Sequence, residues 1–379
     1  MWALVIRSKM RELTDVLILG AGIVGCAIAD ELSRRGARVT VADPHGIGKG
    51  ASQASAGMLA PFTEGLHDPV LATLGARSLD LFDSLIERLR SDGQDLVYGR
   101  GGSIDVALDD ASAAVLAARA DDLSKAGVAH RLLDAREARR VEPSLAPETT
   151  AALTIDAHGF VGVPQLAAAL WGSAETRGAG LVAEAVRRIV PGHGTVRVEL
   201  ETTTRDVPHV VLATGCWTGR IDLAGAPPLP VRPVRGQLLV LRWPDGDVLR
   251  RTLWGPRCYA VPWPDGTLLV GATVEEAGFD ERATVAGVHD LLSAVSELLP
   301  RAWNASMSSV RVGLRPAATD ERPIIGASRR IEGLVYATGH YRNGVLLSPI
   351  TARIVADIVE GKAVDRTVDA CAPGRFGEY

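Results

Sequence analysis

The sequence predicts an α/β protein in which a Rossmann-like lobe carries an inserted lobe built on a mixed or antiparallel sheet. Three observations predict this fold class. They are a strand–helix–strand unit near the start of the chain, two later strands that each end in Ala-Thr-Gly, and an alternating apolar stretch between residues 230 and 273. A chain of 379 residues is long enough to form two lobes.

The strand–helix–strand unit occupies about thirty residues, the usual length of a βαβ unit. Residues 15–19 form a short apolar strand, residues 23–35 carry apolar side chains at helical spacing, and residues 39–42 form a second strand. Gly36 ends the helix, because glycine readily adopts the left-handed conformation found after a helix C-terminus. This order of elements predicts two parallel strands in one sheet.

A Gly-x-Gly-x-x-Gly pattern joins the first strand to the helix. Gly20 and Gly22 allow a tight turn that admits a pyrophosphate to backbone N–H groups, and Gly25 allows the helix to pack on the strand. Asp43 ends the second strand, where a carboxylate accepts hydrogen bonds from a ribose diol. The unit predicts a site for NAD or FAD. A structural glycine turn with a surface aspartate is the alternative.

The next segment distinguishes between these two dinucleotides. Residues 46–57 are a run of small residues, at a point where a nicotinamide dehydrogenase continues into another helix of its fold. Small side chains let an extended FAD pass close to the backbone, and serines in the run supply hydroxyl groups. The run therefore favours FAD, with a flexible Gly/Ser linker as the alternative.

Periodicity predicts the remaining elements. Apolar residues at helical spacing predict helices over residues 68–90 and 111–126, and a glycine-rich turn at 99–103 lies between them. Strand-like alternation then becomes the dominant pattern. It predicts an antiparallel sheet in the inserted lobe, with strands at 236–241, 258–261 and 267–271.

Two buried strands of the same design return the chain to the first sheet. Residues 210–215 and 334–339 each form an apolar run that ends in Ala-Thr-Gly. The simplest organisation is a discontinuous nucleotide-binding lobe that the inserted lobe interrupts twice. The predicted boundaries are 1–90, 156–228 and 309–379 for the nucleotide-binding lobe, and 91–155 and 229–308 for the inserted, substrate-binding lobe.

Composition and charge exclude several classes of function. The formal net charge is −4 and no Lys/Arg block is interleaved with aromatic residues, which disfavours nucleic-acid binding. The four cysteines form no C-x-x-C pair, so we predict neither a disulfide framework nor a metal site, and a cytoplasmic location fits best. No apolar stretch is long enough for a membrane span. Residues 1–13 are interpreted as a disordered tail or a misassigned start.

Arg315 lies in residues 313–316, where a following proline and a preceding glycine frame one charged side chain. The planar fork of a guanidinium matches a carboxylate in bidentate geometry, which lysine cannot do. The sequence therefore offers Arg315 as an anchor for a carboxylate. A surface ion pair with Asp320 or Glu321 is the alternative.

Residues 339–349 join the last buried strand to a helix. We predict the helix N-terminus between Gly344 and Pro349, with Ser348 as the N-cap and Pro349 as the first helical residue. Free N–H groups and the positive end of the helix dipole would then favour negative charge on a flavin ring. An ordinary strand-to-helix turn is the alternative. His340, within this turn, is interpreted as a packing residue without a catalytic role.

Four segments together resemble the D-amino-acid oxidase superfamily of flavoenzymes, and within it the glycine oxidases of thiamine biosynthesis. The segments are residues 20–25, 51–61, 313–316 and 339–349. The resemblance extends from residue 14 to about residue 360. The last segment is the most specific, because it separates glycine-oxidase-like members from the wider superfamily.

The resemblance implies FAD contacts in several segments. They fall on Gly20, Gly22, Ile23, Val24, Gly25, Asp43, Ala51, Ser52, Gly57, Met58, Val186, His340, Tyr341, Arg342, Asn343, Gly344, Val345 and Leu346. It also implies that Arg315 holds the substrate carboxylate and that Tyr259 adds a phenolic hydrogen bond. The backbone carbonyl of Arg342 would face the substrate amine.

The implied reaction is hydride transfer from the α-carbon of glycine, sarcosine or a small D-amino acid to flavin N5. The imine then hydrolyses to glyoxylate or another keto acid and ammonia, or is consumed in thiamine thiazole biosynthesis, and O₂ is reduced to hydrogen peroxide. Related sarcosine oxidases attach FAD through a cysteine near Arg315, but residues 311–314 contain none, so FAD is expected to be non-covalent. The expected partners are a small amino acid and O₂, with a homo-oligomer as a further expectation.

Two alternative functions stay open. A dehydrogenase of the same superfamily would act on D-amino acids or hydroxyproline and pass electrons to a quinone or a partner protein, without yielding peroxide under air. A non-catalytic flavin-binding subunit would hold FAD that no amino acid reduces. The presence of Arg315 together with Tyr259 argues against the second alternative.

Overall fold

The computed structural model describes residues 15–64, 68–224, 226–244, 249–377 and 379. Its strands are, in chain order, β1 (Val16–Leu19), β2 (Val39–Ala42), β3 (Met58–Leu59), β4 (Tyr98–Gly99), β5 (Ser103–Ala107), β6 (Arg131–Asp134), β7 (Ala151–Ile155), β8 (Gly159–Val161), β9 (Gly180–Val182), β10 (Val186–Pro191), β11 (Val196–Leu200), β12 (Thr204–Val207), β13 (His209–Leu212), β14 (Asp222–Leu223), β15 (Val231–Arg242), β16 (Thr252–Trp254), β17 (Tyr259–Pro262), β18 (Thr267–Gly271), β19 (Ser306–Ala318), β20 (Ile324–Ala327) and β21 (Leu334–Thr338).

The α-helices follow the same chain order. They are α1 (Ile23–Arg34), α2 (Pro61–Glu64), α3 (Pro69–Ser91), α4 (Asp110–Lys125), α5 (Ala135–Val141), α6 (Val163–Thr176), α7 (Val285–Leu298) and α8 (Gly344–Val359). Short 3₁₀ helices cover Gly50–Ala54, Gly215–Arg220, Pro300–Asn304, Arg366–Cys371 and Pro373–Phe376. The tail predicted at residues 1–13 lies outside the described residues. The helices predicted at 68–90 and 111–126 correspond to α3 and α4.

The first sheet is mostly parallel and has the strand order β20-β21-β13-β1-β2-β9. β1 pairs in parallel with both β2 and β13, and β13 pairs in parallel with β21, whereas β20 is antiparallel to β21. The glycine-rich turn and both Ala-Thr-Gly sequences therefore meet at one carboxyl edge of this sheet. Ligands of open parallel sheets bind at such an edge.

Both faces of the parallel sheet are covered. Helices α1, α6 and α8 pack on one face, and the antiparallel hairpin strands β10, β11 and β12 cover the other. β1 accordingly sends Val16 and Ile18 into the helical core, and Leu17 and Leu19 into the core between the sheets. A strand buried on both faces reads as a continuous apolar run, which is why this one was recognisable in the sequence.

The second large sheet is mixed and has the order β19-β15-β18-β17-β16-β5-β7-β6. β16 and β5 are parallel, and the other neighbours are antiparallel. Helix α7 packs on one face, where Leu291 and Val295 contact the core of β15 and β18. β19 runs from Ser306 to Ala318, so most of this strand lies beyond residue 309, where the sequence predicts the lobe boundary. The α/β class with an inserted mixed sheet is confirmed.

Helix α8 begins at Gly344, inside the predicted interval, but the predicted cap is wrong. Asn343 is the N-cap residue, and Ser348 and Pro349 lie within the helix. Proline has no N–H to donate to the carbonyl of Val345, and the Ser348 hydroxyl donates to that carbonyl instead, at 2.9 Å. The Ser-Pro pair therefore continues this helix, and the first helical N–H groups lie nearer the preceding strand than predicted.

None of the described helices combines the length and the apolar character that crossing a bilayer requires. All four cysteines are buried and carry free thiols.

Candidate active site

A cleft lies between the carboxyl edge of the parallel sheet and one face of the mixed sheet. Its cavity volume is about 400 Å³, within the range of small-molecule sites. Gly20 and Asp43 line its part at the parallel sheet, and Tyr259 and Arg315 line its part at the mixed sheet. One cleft therefore brings together the residues that the sequence assigns to the cofactor and to the substrate.

The glycines of the first turn leave no room for side chains. Gly20 has a φ of +106°, and a Cβ atom there would lie 2.4 Å from the carbonyl oxygen of Ala213. A Cβ atom on Gly25 would lie 1.9 Å from the carbonyl oxygen of Gly20. Gly20 and Gly22 line the cleft, whereas Gly25 lets α1 approach β1. This cradle fits a pyrophosphate held against the backbone.

Asp43 has a structural role in addition to its place in the cleft lining. Its Oδ2 accepts a hydrogen bond from the N–H of Ala21 at 2.8 Å. Its Oδ1 accepts from the N–H groups of His45 and Gly46 at 2.8 and 3.1 Å. The carboxylate therefore holds the glycine turn against β2, and its remaining lone pairs are available to a ribose.

Ser52 caps helix α1 from a distant point in the sequence. The N-cap residue Gly22 has no side chain to accept a hydrogen bond, and Ser52 Oγ instead accepts from the N–H of Ile23 at 2.9 Å. Gly57 follows in the same segment with a φ of +76°, and a Cβ atom there would lie 1.8 Å from the carbonyl oxygen of Val161. The small-residue run is thus an ordered wall of the cleft, which excludes the flexible-linker alternative.

Arg315 lies across a glycine of the neighbouring strand. A Cβ atom on Gly236 would lie 2.5 Å from the guanidinium carbon and from both terminal nitrogens of Arg315. Nη1 of Arg315 donates to the carbonyl oxygens of Thr273 at 3.0 Å and Arg235 at 3.4 Å. Asp320, offered by the sequence as an alternative partner, forms its ion pair with Arg375 at 2.8 Å. The missing side chain at residue 236 makes the space that the guanidinium occupies.

Tyr259 has a matching arrangement on β17, three strands from β19 in the mixed sheet. β17 places Tyr259 opposite Gly271 of β18, and a Cβ atom on Gly271 would lie 2.4 Å from the tyrosine hydroxyl oxygen. The side chain is only 8% exposed and its ring packs against Trp254. Two glycines therefore shape one face of the mixed sheet so that a guanidinium and a phenol lie across it beside the cleft.

The turn between β21 and α8 closes the cleft on the remaining side. The N–H of Tyr341 donates to the carbonyl of Pro316 at 2.7 Å, which ties the turn to β19. His340 is buried, its Nε2 lies 3.0 Å from the Thr351 hydroxyl, and burial lowers the pKa of its imidazole to about 4. Gly344 begins α8 and lines the cleft, so the positive end of the helix dipole is directed there.

Most of the predicted site residues meet in this cleft, and three do not line it. Gly25, Asn343 and Leu346 lie outside the lining, where they pack α1, cap α8 and fill the helical core. Several other residues line the cleft although the sequence predicted no site role for them, namely Lys49, Trp217, Arg220, Gly236, Leu238, Ala272, Pro316 and Thr338. Trp217 and Arg220 could have been found from the sequence, because they directly follow the first Ala-Thr-Gly strand.

Comparisons with known proteins extend over nearly the whole chain. The family model described as FAD dependent oxidoreductase, DAO, matches residues 15–358. Glycine oxidase of Geobacillus kaustophilus (strain HTA426) is 36% identical over 357 residues, which cover 92% of this chain and 93% of that protein. The crystal structure of glycine oxidase from Geobacillus kaustophilus matches with a TM-score of 0.91, and covers 95% of this chain and 98% of that one.

Two further relatives carry different names. The bifunctional protein ThiO/ThiG of Nostoc sp. (strain PCC 7120) is 34% identical over 352 residues, which cover 91% of this chain but 52% of that protein. The crystal structure of iminodiacetate oxidase from Chelativorans sp. BNC1 matches with a TM-score of 0.87 at 30% identity, and covers 94% of this chain and 98% of that one.

Proposed function

The chain belongs to the DAO family of FAD-dependent oxidoreductases, and on that premise we propose that it oxidises glycine or a closely related small amino acid such as sarcosine or a small D-amino acid. One observation carries the proposal: Arg315 and Tyr259 lie across glycines on one face of the mixed sheet and line the cleft that holds the cofactor. Similarity to glycine oxidases over 92% of the chain supports the same substrate class.

FAD is the cofactor, and the cleft fits it. The glycine cradle at the carboxyl edge of the parallel sheet admits the pyrophosphate, Asp43 offers acceptor oxygens to a ribose, and Ala51 and Gly57 leave the adjoining wall free of large side chains. When bound, FAD accepts a hydride from the substrate α-carbon and passes the electrons on. We propose that it is held without a covalent bond, because burial raises the pKa of the cleft-lining Cys216 thiol to about 12.

In this proposal the protein orients the substrate through its carboxylate. The guanidinium of Arg315 pairs with the carboxylate in forked geometry, and the hydroxyl of Tyr259 donates a further hydrogen bond. Both side chains are held in place, Arg315 by two backbone carbonyls and Tyr259 by its packing against Trp254. A fixed orientation of the α-carbon accelerates hydride transfer from it.

The amine of the substrate needs no protein base. We propose that the carbonyl of Arg342 accepts a hydrogen bond from the neutral amine. His340 is unsuited to accept a proton, because burial lowers its pKa to about 4 and its Nε2 is hydrogen-bonded to Thr351. The N-terminus of α8 at Gly344 favours negative charge beside it and so favours the product side of the reaction.

The electron acceptor and the fate of the imine are part of the proposal. Glycine, O₂ and water would give glyoxylate, ammonia and hydrogen peroxide, with two electrons passed from each glycine to one O₂. The similarity to ThiO/ThiG supports a role in thiamine thiazole biosynthesis, in which the imine is consumed before it hydrolyses. The buried free cysteines support a cytoplasmic location.

An anaerobic screen tests the proposed function. Glycine, sarcosine and D-amino acids would each be added to the purified flavoprotein, and loss of the flavin absorption band would be recorded. We expect glycine to bleach the band, and under air we expect one hydrogen peroxide for each glyoxylate. Bleaching by D-amino acids or hydroxyproline without peroxide under air would replace the proposal with a dehydrogenase, and no bleaching by any amino acid would refute it.

A further inference from the structure

Two backbone carbonyls orient the guanidinium of Arg315. They belong to Arg235 of β15 and to Thr273, which follows β18. A guanidinium can fork onto a ligand carboxylate only when its plane points correctly, so the residues that fix these carbonyls control the direction of Arg315.

Glu275 holds the first of these carbonyls. Its N–H donates to the Arg235 oxygen at 3.0 Å, so that oxygen accepts from Glu275 and from Arg315. The Arg235 N–H donates to the carbonyl of Glu275 at 2.9 Å. The Glu275 carboxylate also accepts from the side chain of Arg235, with Oε2 2.5 Å from Nη2. Backbone and side chain of Arg235 are thus fixed by one residue.

The same carboxylate holds Thr273. Oε1 of Glu275 accepts from the Thr273 hydroxyl at 2.5 Å and from Nε2 of Gln237 at 2.8 Å. The Thr273 hydroxyl in turn accepts from the N–H of Gln237 at 2.9 Å. Thr273 is therefore clamped to β15, and its carbonyl is presented to Arg315. Arg235, Gln237, Thr273 and Glu275 together form what we call the carbonyl clamp.

We propose that Glu275 is a positioning residue, which fixes the Arg235 and Thr273 carbonyls and through them aims Arg315 at the substrate carboxylate. This inference rests on the proposed role of Arg315. No member of the carbonyl clamp lines the cleft. Gly236 and Leu238 of β15 face the cleft, so the alternating Arg235 and Gln237 face the other side of the sheet, where Gln237 contacts α7.

The carbonyl clamp depends on the negative charge of Glu275, which Glu275→Gln removes. The side chain of Arg235 is 8% exposed, so its charge depends on Glu275 and on Asp280, whose carboxylate lies 3.2 Å away. Burial raises the pKa of Glu275, but hydrogen bonds from Arg235, Thr273 and Gln237 outweigh it and leave that pKa below its usual value. Glu275 is therefore ionised at neutral pH, and its conversion to glutamine removes a charge that the clamp uses.

The test compares Glu275→Gln with Glu276→Gln in the FAD-loaded protein. Glu276 is a matched control, because it is the next residue, is 63% exposed and pairs with Arg232 at 3.1 Å. Acetate serves as the carboxylate probe, and its binding is measured from the change it causes in the flavin absorption spectrum. For Glu275→Gln we expect acetate affinity to fall about three- to tenfold and KM for glycine to rise in parallel, with a smaller loss in kcat. Glu276→Gln should match the parent.

A second comparison shows whether the effect passes through Arg315. In an Arg315→Ala background, Glu275→Gln should cause no further loss of acetate affinity, because the group it aims is gone. If Glu275→Gln fails to fold, Thr273→Val removes the clamp hydroxyl at nearly constant volume and should weaken acetate binding in the same direction.

The outcomes separate this inference from the proposed function. Parent-like acetate affinity in folded Glu275→Gln or Thr273→Val, while Arg315→Ala binds acetate weakly, overturns the positioning role and leaves the proposed function standing. An additive loss in the Arg315→Ala background also overturns it. If no amino acid in the anaerobic screen bleaches the parent, the proposed function is wrong, yet acetate titration still tests the clamp. A parent that glycine bleaches but that binds no acetate overturns the anchor role of Arg315 and, with it, the positioning role of Glu275, and leaves amino-acid oxidation standing.

Discussion

Replacing Gly236 by alanine tests the role of Arg315 without removing it. The new Cβ atom would lie 2.5 Å from the guanidinium carbon and from both terminal nitrogens. Comfortable contacts between non-bonded atoms are about 3.5–4.0 Å, so the guanidinium must shift by about 1 Å or more. Residue 236 has the extended backbone of a strand, which alanine adopts without strain, and the three atoms nearest to the new Cβ all belong to the guanidinium of Arg315.

A shift of this size should weaken carboxylate binding more than it lowers the free energy of unfolding. Misplacement of a catalytic group by 1 Å lowers rates by up to about a hundredfold, so we expect acetate affinity and kcat/KM for glycine to fall at least about tenfold. FAD content should match the parent, because the glycine cradle and Asp43 belong to the parallel sheet, whereas residue 236 belongs to β15 of the mixed sheet.

The assay is a titration of the FAD-loaded protein with acetate, followed by anaerobic reduction with glycine. Gly180→Ala is the control, because Gly180 lies in strand β9 and the nearest atom to its new Cβ is Thr40 Oγ1 at 4.0 Å. A Gly236→Ala protein that binds acetate and oxidises glycine as the parent does would refute the carboxylate-anchor role of Arg315.

Three further predictions concern the cofactor and stability. After acid precipitation, FAD should leave with the supernatant, because the Cys216 thiol is buried with its pKa raised to about 12; colour kept in the washed pellet would contradict this. Asp43→Ala should weaken FAD binding about ten- to a hundredfold by calorimetry and also lower the melting temperature of the apoprotein, because the carboxylate holds Ala21 as well as a ribose; unchanged affinity would disprove the assignment. Burial, with help from Arg119 and Arg100, lowers the pKa of His158 from 6.5 to about 3. Below pH 6.5 the unfolded chain binds a proton at His158 that the folded protein does not bind, so the free energy of unfolding should fall by about 2 kcal/mol between pH 6.5 and pH 5. Measured by urea unfolding, the free energy of unfolding of His158→Asn should fall less over this pH range than that of the parent.

Short sequence patterns predicted the elements whose conformation depends on neighbouring residues in the chain. β1, the glycine turn and α1 follow one another within a short stretch, and each has a signal of its own: a doubly buried apolar run, an obligatory glycine conformation and a helical period. The two Ala-Thr-Gly strands were recognisable for the same reason. Their meeting at one sheet edge then followed from the rule that parallel strands present their carboxyl ends together.

The rest depended on contacts between distant residues. The hydroxyl of Ser52 was expected to serve the cofactor, but it also caps α1, a role that appears only when the two segments pack together. In the sequence, Gly236 and Gly271 look like ordinary strand glycines. Only the pairing of the strands shows that the side chains of Arg315 and Tyr259 lie over them. At Ser348 the local signal was misleading, because its hydroxyl fills a gap inside the helix. The predicted homo-oligomer stays a prediction.

We expect this flavoprotein to remove a hydride from an amino acid whose carboxylate is held by Arg315. The most direct measurement is anaerobic reduction of the flavin by glycine in the parent, Arg315→Lys and Arg315→Ala proteins at equal FAD content. We expect the parent to be bleached, kcat/KM to fall at least about tenfold in the lysine variant because the forked geometry is lost, and to fall further in the alanine variant. Glycine oxidation at the parental rate by folded, FAD-loaded Arg315→Ala would contradict the account.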